Sequence, residues 1–279
     1  MMSLRTSGVR KIRLTGGEPL VRKDIMSLLH ALGAHLRDGT LDELTLTTNG
    51  TLLSRHAGEL AEAGMRRVNV SLDTLDAERY ARIARWGRIE RVLEGIDAAQ
   101  GAGLRVKINA VVMRGAFEHE VDDLIRFAHG RGMDLTLIEE MPLGLAVCDR
   151  RETHLPLGGL RRALAERWAL SPLADSTGGP ARYERVAETG GRLGFIAPMS
   201  CNFCAGCNRV RVSCSGRLYT CMGNEGSVDL LPALRGSEGN ARVETLIRET
   251  VHAKPAGHNF RISADAVVGI ARPMSALGG

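Results

Sequence analysis

The sequence predicts an α/β fold. Its first half reads as a parallel sheet with crossover helices, and its second half as a smaller α+β region. Three observations carry this. Five β-rich runs alternate with segments whose apolar residues recur at helical spacing. Each run ends in residues that suit βα turns, such as Gly, Asn, Asp and Ser. After Gly144 the alternation gives way to an arginine-rich helix, short paired runs and a cysteine cluster.

Residues 9–15 (VRKIRLT) read as the first strand, which runs into Gly16-Gly17-Glu18-Pro19. Glycines there allow a sharp turn and close approach of a ligand. Asp24 is placed to cap a helix whose apolar face is Ile25, Leu28, Leu29 and Leu32. Residues 44–48 form the next strand, ending in Asn49-Gly50. Ser54 is the expected cap of the following helix and Gly64 its stop. Residues 67–72 are a third strand ending in Asp73. Ile89, Val92, Leu93 and Ile96 mark a helix stopped near Gly101 and Gly103. Residues 105–113 are the fourth strand. Val121, Leu124, Ile125 and Ala128 line one face of a helix stopped at Gly130 and Gly132. Residues 135–138 are the fifth strand, followed by Glu139, Glu140 and Met141.

In α/β sheets and barrels the chemistry sits at the carboxyl ends of the strands. Here those ends carry Gly16-Gly17-Glu18, Thr47-Thr48-Asn49, Ser71 and Asp73, the Asn109 region and Glu139 to Met141. Any one turn is explained by ordinary turn chemistry. Five turns converging on one mouth favour a ligand site. Glu139 and Glu140 are candidates for acid–base work, but neighbours on a strand point to opposite faces, so only one faces the mouth.

Beyond Gly144, residues 157–168 read as a helix, 175–180 as a loop, 182–186 and 192–196 as strands, and 243–252 as a helix. The tail from Ala271 shows no regular pattern. Between these lies the segment containing Cys204, Cys207 and, after a longer loop, Cys221. A C-x2-C pair with a third cysteine makes a soft-metal or iron–sulfur site. Arg209, Arg211 and Arg217 supply positive charge that favours thiolates. Three ligands leave one position open for a small molecule. The spacing alone leaves a structural zinc site in play, with Cys201 or Cys214 as fourth ligand. Cys148, Cys201 and Cys214 are otherwise expected to be small buried residues.

The chain has 279 residues, 44% of them hydrophobic and 25% charged, enough for a substantial core. No apolar run reaches membrane-spanning length, and residues 1–10 lack the apolar core of a signal peptide. Six cysteines, three of them clustered, fit a reducing cytoplasm better than a disulfide framework. A net charge of +5 favours anionic ligands without demanding nucleic acid. There is no Walker-A loop, no G-x-G-x-x-G after a strand and no nucleophile elbow.

Taken together, the blocks KIRLTGGEPLVRKD, LTTNG, NVSLDTLD, VKINAVVMR, LIEEMPLG, NFCAGCNRVRVSCSGRLYTC, KPAGHNF and SALGG resemble one family. It is that of the radical S-adenosylmethionine (SAM) enzymes of molybdenum cofactor biosynthesis, the GTP 3′,8-cyclases. The match runs over nearly the whole chain. The resemblance implies an incomplete (βα) barrel of radical SAM type lacking its first βα unit (residues 1–145). It implies a C-terminal α+β region (residues 146–279) carrying a second cluster and a Gly-Gly tail. It implies cyclisation of GTP to (8S)-3′,8-cyclo-7,8-dihydroguanosine 5′-triphosphate in molybdopterin synthesis, with cyclic pyranopterin monophosphate synthase as functional successor. A homodimer is compatible with it.

By residue, the resemblance implies that Cys204, Cys207 and Cys221 ligate a [4Fe–4S] cluster. Gly17, Ser71 and Met141 match SAM-contacting positions. Arg13, Thr47, Lys107 and the run Arg209, Val210 and Arg211 match GTP-contacting positions. Gly278-Gly279 resembles a tail that reaches the active site. One feature departs from the family. Its C-x3-C-x2-C loop, which holds the SAM-cleaving [4Fe–4S] cluster, is not among these 279 residues. That second cluster is expected only in a full-length chain. The reading taken is that Met1-Met2 is a late start within a longer product, with residues 4–8 the end of a preceding helix. The alternative is a catalytically dead remnant that binds purine nucleotides through one cluster.

Overall fold

In the computed structural model the described residues are 8–85, 87–115, 117–144, 149–174, 178–201, 203–237, 239–263 and 267–277. The expected helix end before Gly8, Cys148, the first part of the 175–180 loop and the Gly278-Gly279 tail lie outside them.

Five strands come first: β1 (Lys11–Leu14), β2 (Glu43–Thr48), β3 (Arg67–Ser71), β4 (Arg105–Val112) and β5 (Asp134–Glu139). They alternate with α1 (Ile25–Arg37), α2 (Leu53–Glu62), α3 (Ala77–Ala84), α4 (Ile89–Gly101) and α5 (Val121–Gly130). Two helices, α6 (Arg150–Thr153) and α7 (Leu157–Ala165), then lead to β6 (Leu170–Leu173), β7 (Arg182–Val186) and β8 (Arg192–Ile196). The strands form one eight-stranded sheet in the order β1-β2-β3-β4-β5-β8-β7-β6. β1 to β5 and β8 are parallel, and β7 and β6 continue antiparallel. Three strands from beyond residue 146 therefore extend the sheet of the first half. β1 lies at one edge.

The two faces of this sheet differ in chemistry. The outer face carries Leu44, Leu46, Val68, Val70, Ile108, Ala110, Leu135, Leu137 and Leu193, all at 2% exposure or less. These pack in one core with helix residues at i, i+3 and i+4 spacing, such as Ile89, Val92 and Ile96 of α4 and Val121, Leu124, Ile125 and Ala128 of α5. Burial of each large aliphatic chain stabilises the fold by about 1.5–3 kcal/mol. The intervening residues are Thr45, Arg67, Asn69, Lys107, Asn109 and Thr136. Parallel strands covered by helices on both faces read as near-continuous apolar runs. A strict alternation means that the second face lines something polar.

Helix ends differ from expectation in two places. Asp24 makes no side-chain cap on α1. Its carboxylate is instead held by the Arg22 guanidinium at 3.1 Å. Leu52, not Ser54, occupies the cap position of α2. Leu28 lies on the solvent side of α1, 36% exposed. The C-terminal region holds β9 (Arg211–Val212), β10 (Arg217–Tyr219), β11 (Val228–Asp229), α8 (Leu231–Arg235), α9 (Gly239–His252), β12 (Arg261–Ile262) and β13 (Val267–Val268). β9 and β10 pair antiparallel as a hairpin across residues 213–216. The tail contains a short helix, α10 (Met274–Leu277), where no pattern was expected.

Candidate substrate and cluster site

The polar face of the sheet is organised around Lys107. It is 6% exposed, and its Nζ donates to the Tyr183 hydroxyl at 2.5 Å. Burial lowers its pKa, the Tyr183 oxygen acts against that shift, and the charges of Arg67 and Arg13 lower it further. In register beside it stand Asn69 on β3 and Asp134 on β5. Gly194 on β8 leaves the room that Tyr183 and Thr136 occupy. A Cβ there would lie 2.8 Å from Thr136 Oγ1 and 2.8 Å from the Tyr183 ring.

Arg13 reaches this group from β1. It is exposed as a residue, yet its guanidinium is crowded. Desolvation lowers its pKa first, and then the charge of Arg67; Glu43 opposes them and Arg209 adds to them. Glu43 accepts from Arg67 Nη2 at 2.6 Å. Thr47 is half-buried and sits opposite Asn69. Three buried polar atoms on this face, Arg67 Nε, Asn109 Oδ1 and Thr136 Oγ1, have no hydrogen-bond partner. Leaving a buried polar group unpaired costs about 1–3 kcal/mol, so such a cradle is built for a polar guest.

The cysteine segment brings further cations to the same place. Cys204 begins a short 3-10 turn closed by the Cys207 N–H bonding the Cys204 carbonyl at 3.0 Å. Arg209 Nη2 lies 3.6 Å from Cys207 Sγ. Burial drives the pKa of the Arg211 guanidinium down to about 10, and the charges of Arg209 and Arg13 act in the same direction; Cys207 and Cys221 act against it. Arg211 stays charged at neutral pH, so Arg13, Arg67, Lys107, Arg209 and Arg211 make one field from both halves of the chain. Val210 lies between the last two, half-buried.

Cys207 sits among cations and N–H donors. Burial pushes the Cys207 thiol up, but the Arg209 N–H and guanidinium and the Lys254 ammonium outweigh it, and the net shift is downward. Cys221 Sγ accepts from the Gly223 N–H at 3.4 Å. All three cysteines are half-buried. Among the described residues no three His, Cys, Asp or Glu side chains converge to hold one metal ion. The donor set of Cys204, Cys207 and Cys221, sulfur-only and beside N–H donors and cations, fits an iron–sulfur cluster. Cys201 and Cys214 are exposed, against the expectation that they are buried. Cys201 lies on the loop before the segment, and Cys214 in the turn between β9 and β10.

The remaining predicted positions sit on the strand-end loops. Gly17 is exposed and has nothing within 4 Å of where a Cβ would stand. Ser71 is exposed at the end of β3, and Met141 follows β5 half-buried. Glu18 is structural. It accepts from Leu20 N, Thr48 Oγ1 and Asn49 N, at 3.1, 2.8 and 2.7 Å, and so ties the first loop to the second. Glu139 is fully buried and accepts from the N–H groups of Met199 and Ser200, at 2.8 and 2.9 Å. It anchors the approach to the cysteine segment. Glu140 accepts from Thr153 Oγ1 at 2.9 Å and pairs with Arg150. Neither carboxylate of the pair is free for acid–base work. Asp73 accepts the Val111 N–H at 2.8 Å. Burial pushes its pKa up to about 6, against that one bond.

Two family models match this chain, one after the other. The radical SAM superfamily model matches residues 2–128, and the molybdenum cofactor synthesis C model matches residues 133–260. A Rhizobium etli protein named GTP 3′,8-cyclase is 57% identical over 98% of this chain and 78% of its own length. Its namesake from Mesorhizobium japonicum is 55% identical over 98% of this chain and 82% of its own length. Among solved structures, Streptococcus suis SuiB bound to S-adenosylmethionine superposes with a TM-score of 0.55. That similarity is at 16% identity and covers 84% of this chain and 56% of SuiB, which supports the fold.

Proposed function

This chain belongs to the GTP 3′,8-cyclase family of radical SAM enzymes, and from that premise we propose how its own residues serve the reaction. The substrate is GTP and the product is (8S)-3′,8-cyclo-7,8-dihydroguanosine 5′-triphosphate, the first intermediate of molybdopterin synthesis. Cyclic pyranopterin monophosphate synthase would consume it. The observation that carries the reading is the meeting of Arg13 and Lys107 from the sheet with Arg209 and Arg211 from the cysteine loop.

Arg13 feels the like charges of Arg67 and Arg209, and Arg211 those of Arg209 and Arg13, so the group is self-repelling when empty. A triphosphate neutralises them, and the guanidinium forks suit its oxygens bidentately. Lys107 acts as a point charge whose position Tyr183 fixes. The sheet would hold the phosphates, while Cys204, Cys207 and Cys221 would hold a cluster and, as three ligands, would leave it one position for a small molecule. Thr47 presents a hydroxyl suited to the ribose. Gly17, Ser71 and Met141, at the carboxyl ends of the strands, hold SAM. When bound, SAM and the iron–sulfur chemistry supply one-electron reduction and hydrogen abstraction from GTP. The protein fixes the distance and angle between reacting atoms, where effective concentration gains are largest. The C-x3-C-x2-C loop is not among these residues, and no step is assigned to it.

Equilibrium binding of GTP, GDP and guanosine to the iron-loaded chain tests this. Affinity is expected to fall in that order, steeply with each phosphate lost, and to weaken with salt. Equal affinity for GTP and guanosine would remove the cationic cradle as a triphosphate site.

A further inference from the structure

The block KPAGHNF is absorbed by none of the roles above. Its lysine, Lys254, follows α9 and turns its ammonium into the cysteine loop. Nζ donates to the Cys207 carbonyl at 2.6 Å, to the Arg209 carbonyl at 2.9 Å and to Cys207 Sγ at 3.3 Å. An ammonium has three N–H donors, and all three are spent on this one loop. No carboxylate of the described residues pairs with it. A part-buried ammonium needs a compensating negative charge. The only one it touches is the sulfur of Cys207. The rest of the block braces the same loop from the other side. His258 Nε2 bonds the Pro198 carbonyl at 3.0 Å, and Asn224 Nδ2 bonds the Gly257 carbonyl at 3.2 Å. Gly223, two residues past Cys221, leaves the space His258 fills; a Cβ there would stand 2.3 Å from His258 Cβ.

We propose that Lys254 is a positioning residue for the C-terminal cluster, one that holds the Cys207 ligand and sets the cluster's reduction potential. The inference rests on the reading that Cys204, Cys207 and Cys221 hold that cluster. Reduction adds one electron to a cluster already rich in thiolate charge. A cation and an N–H···S bond stabilise the reduced form more than the oxidised one. Lys254 therefore raises the potential. Arg209, 3.6 Å from the same sulfur, belongs to the substrate cradle and shares its position with GTP. Lys254 is bound wholly to loop atoms, so its effect is independent of substrate.

The test is anaerobic iron–sulfur reconstitution of the full chain, with iron per chain, an EPR-monitored reductive titration and far-UV circular dichroism as readouts. Lys254→Met is expected to keep native dichroism and to shift the one-electron equilibrium of the cluster about tenfold toward the oxidised form, a potential more negative by about 59 mV. Lys254→Arg, keeping charge and donors, is expected to stay near wild type. If Lys254→Met holds no cluster, Lys254→Gln, a neutral donor, is read instead and should have a potential more negative than wild type. A potential unchanged in Lys254→Met, or in Lys254→Gln where the Met variant is empty, overturns the proposal. The cluster reading is tested separately by Cys207→Ala. Iron retained at the wild-type level there overturns the ligand assignment itself, whereas iron lost there with an unchanged Lys254→Met potential overturns only the role of Lys254.

Discussion

The sheet of the first two hundred residues and the region that follows are held together by different means. One continuous hydrophobic core runs from Leu20 to Phe195, with Ala197 packed against it, and includes nothing later in the chain. Among the described residues beyond 198, the buried apolar side chains are Leu218, Tyr219, Leu230, Val243 and Ile270. Strands there are two or three residues long. What holds them is polar. Lys254 and His258 tether the cysteine loop, Glu139 grips Met199 and Ser200, and Arg272 bonds the Asn224 carbonyl at 2.8 Å and stacks 4.3 Å from the Tyr219 ring. On the proposed reading, a region with so little core draws order from its ligands, as small metal-dependent modules do; the sheet would then be the fixed wall of the site, and the cysteine region the part whose shape depends on cofactor.

The largest effect should come from Cys207→Ala. Losing one of three thiolates empties the cluster, and GTP affinity should fall at least about a hundredfold because the purine end and the Arg209–Arg211 run lose their frame. Hydrogen exchange should rise across β9 to β13 while β2 to β5 stay protected. Equal protection in both regions with and without iron would break the comparison. The converse substitution is Leu137→Ala, at 0% exposure in the middle of β5. It should cost about 2–5 kcal/mol in chemical denaturation. Iron per folded chain should not change. Loss of iron in step with stability would mean that the two regions unfold as one.

Arg211→Ala should sharpen the link between the regions. One charge-assisted contact to phosphate is worth about 1.5–3 kcal/mol, so GTP should bind roughly tenfold to a hundredfold more weakly. Guanosine binding should be little altered. Arg13→Ala, on the opposite wall, should show the same phosphate-selective loss, read by calorimetry with both ligands. A loss confined to one of the two would mean that the triphosphate lies against one wall alone.

Much of the sheet was legible because its signals are local. Val121, Leu124, Ile125 and Ala128 repeat at helical spacing, and all four are fully buried. Strand bounds fell within a residue or two of expectation, since alternating Thr-Leu or Val-Asn runs have no helical reading. The polar inner face was legible too: Arg13, Thr47, Ser71 and Lys107 were picked from it by resemblance, and the Asn109 region as a strand end. The alternation in Arg67-Val68-Asn69-Val70-Ser71 and Leu135-Thr136-Leu137 was the signal that could have added Arg67, Asn69 and Thr136. Non-local contacts were not legible. Nothing near Tyr183 says that it will reach Lys107, 76 residues away. Nothing near β8 says that it will pair with β5. The Glu139-Glu140 pair looked reactive because carboxylates in a strand are costly. Their partners, N–H groups and a guanidinium from later segments, are visible only once the chain has folded.

The smallest effect concerns Asp73, a half-buried carboxyl at the rim of the sheet. Burial raises its pKa to about 6, and a single N–H from Val111 opposes the shift. In the unfolded chain its pKa is the ordinary one, about 3.9. Between these values the folded state binds more protons than the unfolded state, so stability falls as pH rises. The contribution of the protonated carboxyl is fully present below about pH 4 and is gone above about pH 7. Between pH 5 and pH 8 the loss should be roughly 1.4 kcal/mol, a tenfold change in the folding constant. Asp73→Asn keeps an acceptor for the Val111 N–H without a charge to desolvate. It should flatten the pH profile over that range and be the more stable form at pH 8, as read by urea denaturation. Because the acid-side stabilisation belongs to the sheet alone, the same profile should appear with the cluster removed. A pH dependence that vanishes with the iron would place its origin at the cysteine loop instead.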